Sequence, residues 1–190
     1  MRVGKVRRKT KETEVEVRLN LDGSGKAKVD TTIKFLDHLL QSLAKHGGLD
    51  LELKARGDLE HHIAEDAVIG LGEALEKALG KKAGIARMGD AIVPMDDALV
   101  MAAIDLGGRA FPEIEAEFSN KRLDDLGSDM IIHLLQTFAT KGSFNLHVKV
   151  LRGVNDHHKA EAMFKAVGIA ISKAVRKSGR RGVPSTKGVI

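Results

Sequence analysis

The chain has 190 residues and a formal charge of +5; apolar residues make up 43%, charged ones 30% and aromatics only 3%, all Phe. Such a length and balance support one or two domains with a buried core and exclude disordered and fibrous classes. With no cysteine there are no disulfides or zinc–thiolate knots, and the scarce aromatics argue against a nucleic-acid module that stacks bases on rings.

Met1–Arg8 is a candidate first strand, and Glu14–Leu21 alternates apolar and polar residues as a half-buried strand does. Asp22-Gly23-Ser24-Gly25 reads as a hairpin turn into a short strand ending near Asp30. Phe35, Leu36, Leu39, Leu40 and Leu43 recur at helical spacing until Gly47-Gly48 stops the helix. Leu49, Leu51 and Leu53 alternate again. A long helix is expected from about Glu60 to Leu79, with Ile63, Ala67, Leu71, Ala74, Leu75 and Ala78 as its apolar stripe. The order then recurs. Asp90–Pro94 is a candidate strand, and Ala98–Leu106 and Arg109–Phe118 are strands around Gly107-Gly108. A helix from Ser128 to about Lys141, a strand from Phe144 to Leu151 and a helix from Asp156 to about Lys177 complete the second set. No apolar run approaches the ~20 residues of a membrane helix, and Met1–Lys5 lacks the apolar stretch of a signal peptide.

The repeat is visible in residues too. His38-Leu39-Leu40-Gln41 matches His133-Leu134-Leu135-Gln136 at an offset of 95, and His61-His62-x-Ala64-Glu65 matches His157-His158-x-Ala160-Glu161 at an offset of 96. The fold class that follows is α+β: two sheet-plus-two-helix halves, residues 1–88 and 89–190, related by a pseudo-twofold axis.

The chemistry sits on this repeat. His61 and Glu65 share a helix face, as do His157 and Glu161, whereas the adjacent His61 and His62 point about 100° apart and suit two neighbouring ions better than one. If each half contributes to both sites, symmetry suggests His38, His62, His157 and Glu161 as one set and His133, His158, His61 and Glu65 as the other. Sets rich in nitrogen and free of thiolate favour Mn, Fe, Co, Ni or Zn over Ca or Mg, without choosing within that group. Gly23-Ser24-Gly25-Lys26 lacks the spacing of a phosphate-binding loop and is set aside.

Several motifs resemble those of the imidazoleglycerol-phosphate dehydratases. They are Lys11-Glu12-Thr13; Phe35-Leu36-Asp37-His38-Leu39-Leu40 with His46-Gly47; His61-His62-x-x-Glu65-Asp66; Gly153-x-Asn155-x-His157-His158-x-x-Glu161-Ala162-x-Phe164-Lys165-Ala166; and Pro184-Ser185-Thr186-Lys187-Gly188-Val189. The resemblance spans nearly the whole chain and is to the monofunctional form. It implies a duplicated ribosomal protein S5 domain 2-like unit that dehydrates imidazoleglycerol phosphate to imidazole-acetol phosphate in cytoplasmic histidine biosynthesis. It also implies two Mn(II) ions per active site, held by the two sets above at subunit interfaces of a large homo-oligomer of ~24 chains, with no nucleic acid or membrane as partner. The metals would act as Lewis acid and template, because the C–H bond to be broken has no adjacent carbonyl.

By the same resemblance Glu12 is the first candidate for acid/base work, with Glu65 and Glu161 also placed at the catalytic centre. His38 and His46 are substrate contacts. Arg87, Arg109, Lys165, Ser185, Thr186 and Lys187 match substrate-binding positions, and paired charge-assisted hydrogen bonds suit arginine to phosphate. The basic stretch Arg176–Gly182 would at most close over substrate. Ser42, Glu60, Ile63 and Phe111 depart from the family's usual residues, and none is a proposed ligand. The rival chemistry is a dinuclear phosphoesterase, which would release inorganic phosphate instead of a ketone; a metal-storage or RNA-binding assembly would do neither.

Overall fold

A computed structural model describes residues 1–179, 182–188 and 190. Both halves follow one order. In the first, strands β1 (Val3–Lys9), β2 (Thr13–Asn20) and β3 (Ala27–Asp30) precede helix α1 (Lys34–Gly47), strand β4 (Asp50–Gly57) and helix α2 (Glu60–Leu79). In the second, β5 (Met88–Met95), β6 (Ala98–Asp105) and β7 (Phe111–Glu115) come first. The small strands β8 (Arg122–Leu123) and β9 (Leu126–Gly127) are inserted before α3 (Ser128–Lys141), β10 (Asn145–Arg152) and α4 (Asp156–Val175).

The sheets have the orders β1-β2-β4-β3 and β5-β6-β10-β7. The Asp22–Gly25 turn therefore does not close a hairpin, because β4 lies between β2 and β3, antiparallel to one and parallel to the other. Asp50 at the start of β4 accounts for this. Its carboxylate accepts the backbone N–H groups of Ser24 (2.8 Å) and Lys26 (3.1 Å), wrapping the turn over the new strand. The Gly107-Gly108 turn is likewise separated from a hairpin by β10. Strand β7 stops at Glu115 instead of Phe118. Lys159 donates to Glu117 O (2.7 Å) and Asp156 receives Asn120 N–H (2.8 Å), which draws that segment from the sheet towards the start of α4. Helix α4 ends at Val175, since Arg176 leaves helical conformation at ψ 135°.

Each sheet turns one face to solvent and the other to its own long helix, α2 over β1, β2 and β4, and α4 over β5 and β6. The approach is closest at two matching glycines. A Cβ on Gly4 would lie 1.8 Å from Ala74 O, and one on Gly89 would lie 2.1 Å from Ala170 O. The short helices are exchanged: α1 packs on α4 and α3 on α2. Those crossings are also made at glycines, for a Cβ on Gly168 would lie 2.2 Å from Leu43 O, and one on Gly72 would lie 2.8 Å from Lys141 Cβ. Helix α1 has no side-chain cap of its own. Asp125, in the β8–β9 turn, accepts the N–H groups of Lys34 (2.6 Å) and Phe35 (2.9 Å) and caps it from the other half. Among the described residues no helix is long and apolar enough to cross a membrane.

Gly89→Ala drives a methyl group into helix backbone, so it should destabilise the fold by about 1–3 kcal/mol or more. Gly48 ends α1 at φ 65° with open space around it. Gly48→Ala should therefore cost only the left-handed strain, about 1 kcal/mol, and denaturant midpoints should rank the two variants in that order.

Arg2 ties β1 to both ends of this architecture. Its Nη2 and Nε donate to Asp22 (2.7 and 3.1 Å) and its Nη1 to Val175 O (2.6 Å). Hydrogen bonds from Arg2, opposed by some desolvation, lower the Asp22 carboxyl to about 2. A carboxyl depressed on folding stabilises above its unfolded value, about 4, and that contribution is lost as pH falls through the folded value. Asp22→Asn should flatten the loss of stability between about pH 4 and pH 2 in acid-unfolding curves.

Candidate metal centres

The exchanged helices bring together residues that are far apart in sequence. His38 on α1 meets His157 and Glu161 on α4, with His38 Nε2 3.1 Å and His157 Nε2 3.5 Å from Glu161 Oε2. Buried Phe35, one turn before His38, packs its ring 4.8 Å from that of His157 and supports it. Glu161 is the anchor, its side chain only 9% exposed. Burial pushes its carboxyl up, but hydrogen bonds from Lys165 (2.8 Å) and His38, with their charges, outweigh burial and hold it below the ordinary value. The result is an ionised carboxylate beside two imidazoles.

The second group repeats the first. His133 on α3 meets His61 and Glu65 on α2, with His133 Nε2 3.1 Å and His61 Nε2 3.9 Å from the Glu65 carboxylate. The two rings stack at 5.7 Å. In each group the three donor atoms lie within 4.8 Å of one another. Two imidazole nitrogens and one carboxylate, this close, fit a transition cation such as Mn(II) or Zn(II) and leave coordination positions for further ligands.

His62 and His158 lie outside these groups. His62 Nδ1 is 2.9 Å from Asp58 Oδ1, and His158 Nδ1 is 2.7 Å from Asp97 Oδ1. The Asp58 hydrogen bond, partly offset by desolvation, raises the His62 ring above its ordinary value. His157 is held in the same way, its Nδ1 3.2 Å from Asp124. A carboxylate on Nδ1 leaves Nε2 as the ring's donor atom, and at His158 the Asp96 carboxylate lies 3.4 Å from that Nε2. Sequence reasoning missed all three aspartates and the β8–β9 hairpin. Asp58 stands one helical turn before His62, and Asp124-Asp125 sits between Leu123 and Leu126, so two of the signals were present. Asp97 reaches His158 only through the tertiary fold.

Glu12 stands 3.9 Å from His62 Nδ1. With Arg8, His62, Glu65, Asp66 and His133 it lines a cavity of about 490 Å³. His46, in the last turn of α1, lies near Lys165 and Glu161. Desolvation first, and the Lys165 charge second, lower its ring below the usual histidine value.

The other predicted residues gather elsewhere. Arg87 directs Nε and Nη2 at Asp105 (2.6 and 2.9 Å) and Nη1 at Pro184 O (2.9 Å), pinning the C-terminal segment. Ser185 and Thr186 line a cavity of about 510 Å³ beside it. Lys187 is exposed and donates its backbone N–H to Ser185 Oγ (3.2 Å). Arg109 is exposed in the loop before β7. Arg180 and Arg181 of the basic stretch, and Val189 of the tail motif, lie outside the described residues. Of the departures, Ser42 and Ile63 are buried, Glu60 is 3.4 Å from Arg122, and Phe111 lies against His147 on the outer sheet face.

A family model described as imidazoleglycerol-phosphate dehydratase matches residues 31–171. A relative of that name from Chloroflexus aggregans is 52% identical, covering 97% of this chain and 93% of its own. Another, from Desulforudis audaxviator, is 49% identical and covers 100% of this chain and 98% of its own. The crystal structure of IGPD from Pyrococcus furiosus in complex with (S)-C348 aligns with a TM-score of 0.85 at 34% identity, over 97% of this chain and 100% of that one. Sequence along the whole length and architecture agree: the chain belongs to the imidazoleglycerol-phosphate dehydratase family.

Proposed function

We propose that this chain catalyses the metal-dependent dehydration of imidazoleglycerol phosphate to imidazole-acetol phosphate in the histidine biosynthesis of the cytoplasm. The observation that carries the metal-dependent part is the pair of matching donor groups, each drawn from both halves. Two Mn(II) ions per active site would be held, one by His38, His157 and Glu161 with His62, the other by His133, His61 and Glu65 with His158. Ions held there would supply Lewis acidity and a template for the substrate's orientation.

The chain's own residues do the rest. Glu12, beside His62 at the cavity, takes the proton from the C–H bond next to the carbon that loses its hydroxyl. The C–O bond breaks, the departing hydroxyl takes up the proton that Glu12 carries and leaves as water, and the resulting enol tautomerises to the ketone. Lys165 keeps Glu161 ionised and, with His46, faces the substrate. Arg109, Ser185, Thr186 and Lys187 hold the phosphate by charge-assisted hydrogen bonds, and Arg87 fixes the segment that carries three of them.

The layout of the chain supports a reading in which it self-associates. Glu161 is near the start of α4, whereas Arg87 N–H bonds Ala174 O at its end, about 20 Å away along the helix. One substrate cannot span both ends of a single chain, so a second copy closes the gap and supplies His62 and His158. The outer sheet faces support this reading. That of β1-β2-β4-β3 is covered by ion pairs such as Arg7–Glu14 and Arg18–Glu52. That of β5-β6-β10-β7 exposes Met88 (62%), Ile92 (62%) and Phe111 (54%). We take the assembly to be the ~24-chain particle that the family resemblance implies.

The direct test incubates manganese-loaded and chelated protein with imidazoleglycerol phosphate and measures the ketone. Ketone from the loaded protein alone is expected; release of inorganic phosphate, or equal ketone without metal, overturns the proposal. Arg109→Ala should raise KM about tenfold or more, since a hydrogen bond to a charged group contributes about 1.5–3 kcal/mol. Ile92→Lys should reduce particle size in light scattering and lower dehydration with it.

A further inference from the structure

The duplication can be traced through the turns as well as the helices. Gly4 pairs with Leu19 and Lys9 with Glu14 across β1–β2; Gly89 pairs with Ile104 and Pro94 with Leu99 across β5–β6, each at an offset of 85. By that register the turn residues Lys11-Glu12 correspond to Asp96-Asp97, so Glu12 and Asp97 are counterparts. Each faces the counterpart histidine, Glu12 towards His62 and Asp97 towards His158.

They are not used alike. Asp97 is closed on its histidine at 2.7 Å and also accepts the N–H groups of Val154 (2.5 Å) and Asn155 (2.9 Å) at the start of α4. Glu12 stands off at 3.9 Å, its side chain 59% exposed. The difference lies in Asp58, which occupies His62 Nδ1 from one helical turn back. The second half has no such residue, because the position matching Asp58 is Val154. Where the helix side lacks a carboxylate, the turn carboxylate holds the ring; where the helix side has one, the turn carboxylate is spared. The Glu12 segment is separately fixed by its backbone, with Glu12 N–H on Thr10 Oγ1 (3.1 Å) and Asp58 N–H on Glu12 O (3.1 Å).

We infer that the duplicated turn has divided one role in two: Asp97 and Asp58 are positioning residues that aim Nε2 of His158 and His62 at their ions, and Asp58 thereby leaves Glu12 free to carry the substrate proton. This rests on the function proposed above, and the readouts separate the two. In the assembled holoenzyme, Asp97→Ala and Asp58→Ala should each weaken one of the two Mn(II) ions about 10- to 100-fold in chelator competition, leave the other ion unchanged, and recover turnover in excess Mn(II). Glu12→Gln should cut kcat with Mn(II) affinity unchanged for both ions. Because Asp97 also caps α4, Asp97→Asn serves as the variant that keeps an acceptor, and it should show a smaller loss at the same single ion. Unchanged Mn(II) affinity in the aspartate variants, or equal weakening of both ions, overturns the assignment of Asp58 and Asp97. Weakened Mn(II) in Glu12→Gln overturns the division, making Glu12 a ring holder like Asp97. Full kcat in Glu12→Gln with the aspartate losses intact overturns Glu12 as the proton carrier alone.

Discussion

Everything at the two centres depends on the exchange of short helices between halves. Helix α1 lies on α4 and α3 on α2, and both crossings are tight enough to require glycine, Gly168 under Leu43 O and Gly72 against Lys141. Ordinary side chains there would hold the helices further apart. Backbone-level contact is what lets His38 reach Glu161 and His133 reach Glu65. The pseudo-twofold relation of the halves makes one packing solution serve twice, so the same kind of donor group occurs once on each long helix.

The two groups are nonetheless electrostatically different. Glu161 is buried and kept ionised by Lys165, whereas Glu65 is 36% exposed and faces the cavity with Glu12 and Arg8. A buried carboxylate needs a cation beside it, and Lys165 provides one that stays when a metal is absent. At the position matching Lys165 the first half has Ile69. The two groups thus differ in charge although they share a plan.

Much of this was legible in the sequence because it is periodic. Alternation marked β2 and β4, apolar spacing marked the helices, and the repeated His and Glu marked the residues of the two donor groups, with His62 and His158 falling outside them. What was not legible is what neighbours in space decide. Asp22–Gly25 has the composition of a hairpin turn, yet Asp50 draws it over β4. Arg109–Phe118 alternates like a full-length strand, yet Lys159 and Asp156 pull its end away. Asp97 stands 61 residues from His158 in sequence, and no local pattern announces that contact.

The cap on α1 has a bearing on biosynthesis. Asp125 finishes a helix that began at Lys34, and Glu161 completes the group that His38 starts. During translation His38 thus leaves the ribosome long before its partners exist, and the first centre cannot close until α4 has been made. A nascent chain therefore carries only part of the donor group, and the full set of three donors awaits the synthesis of α4.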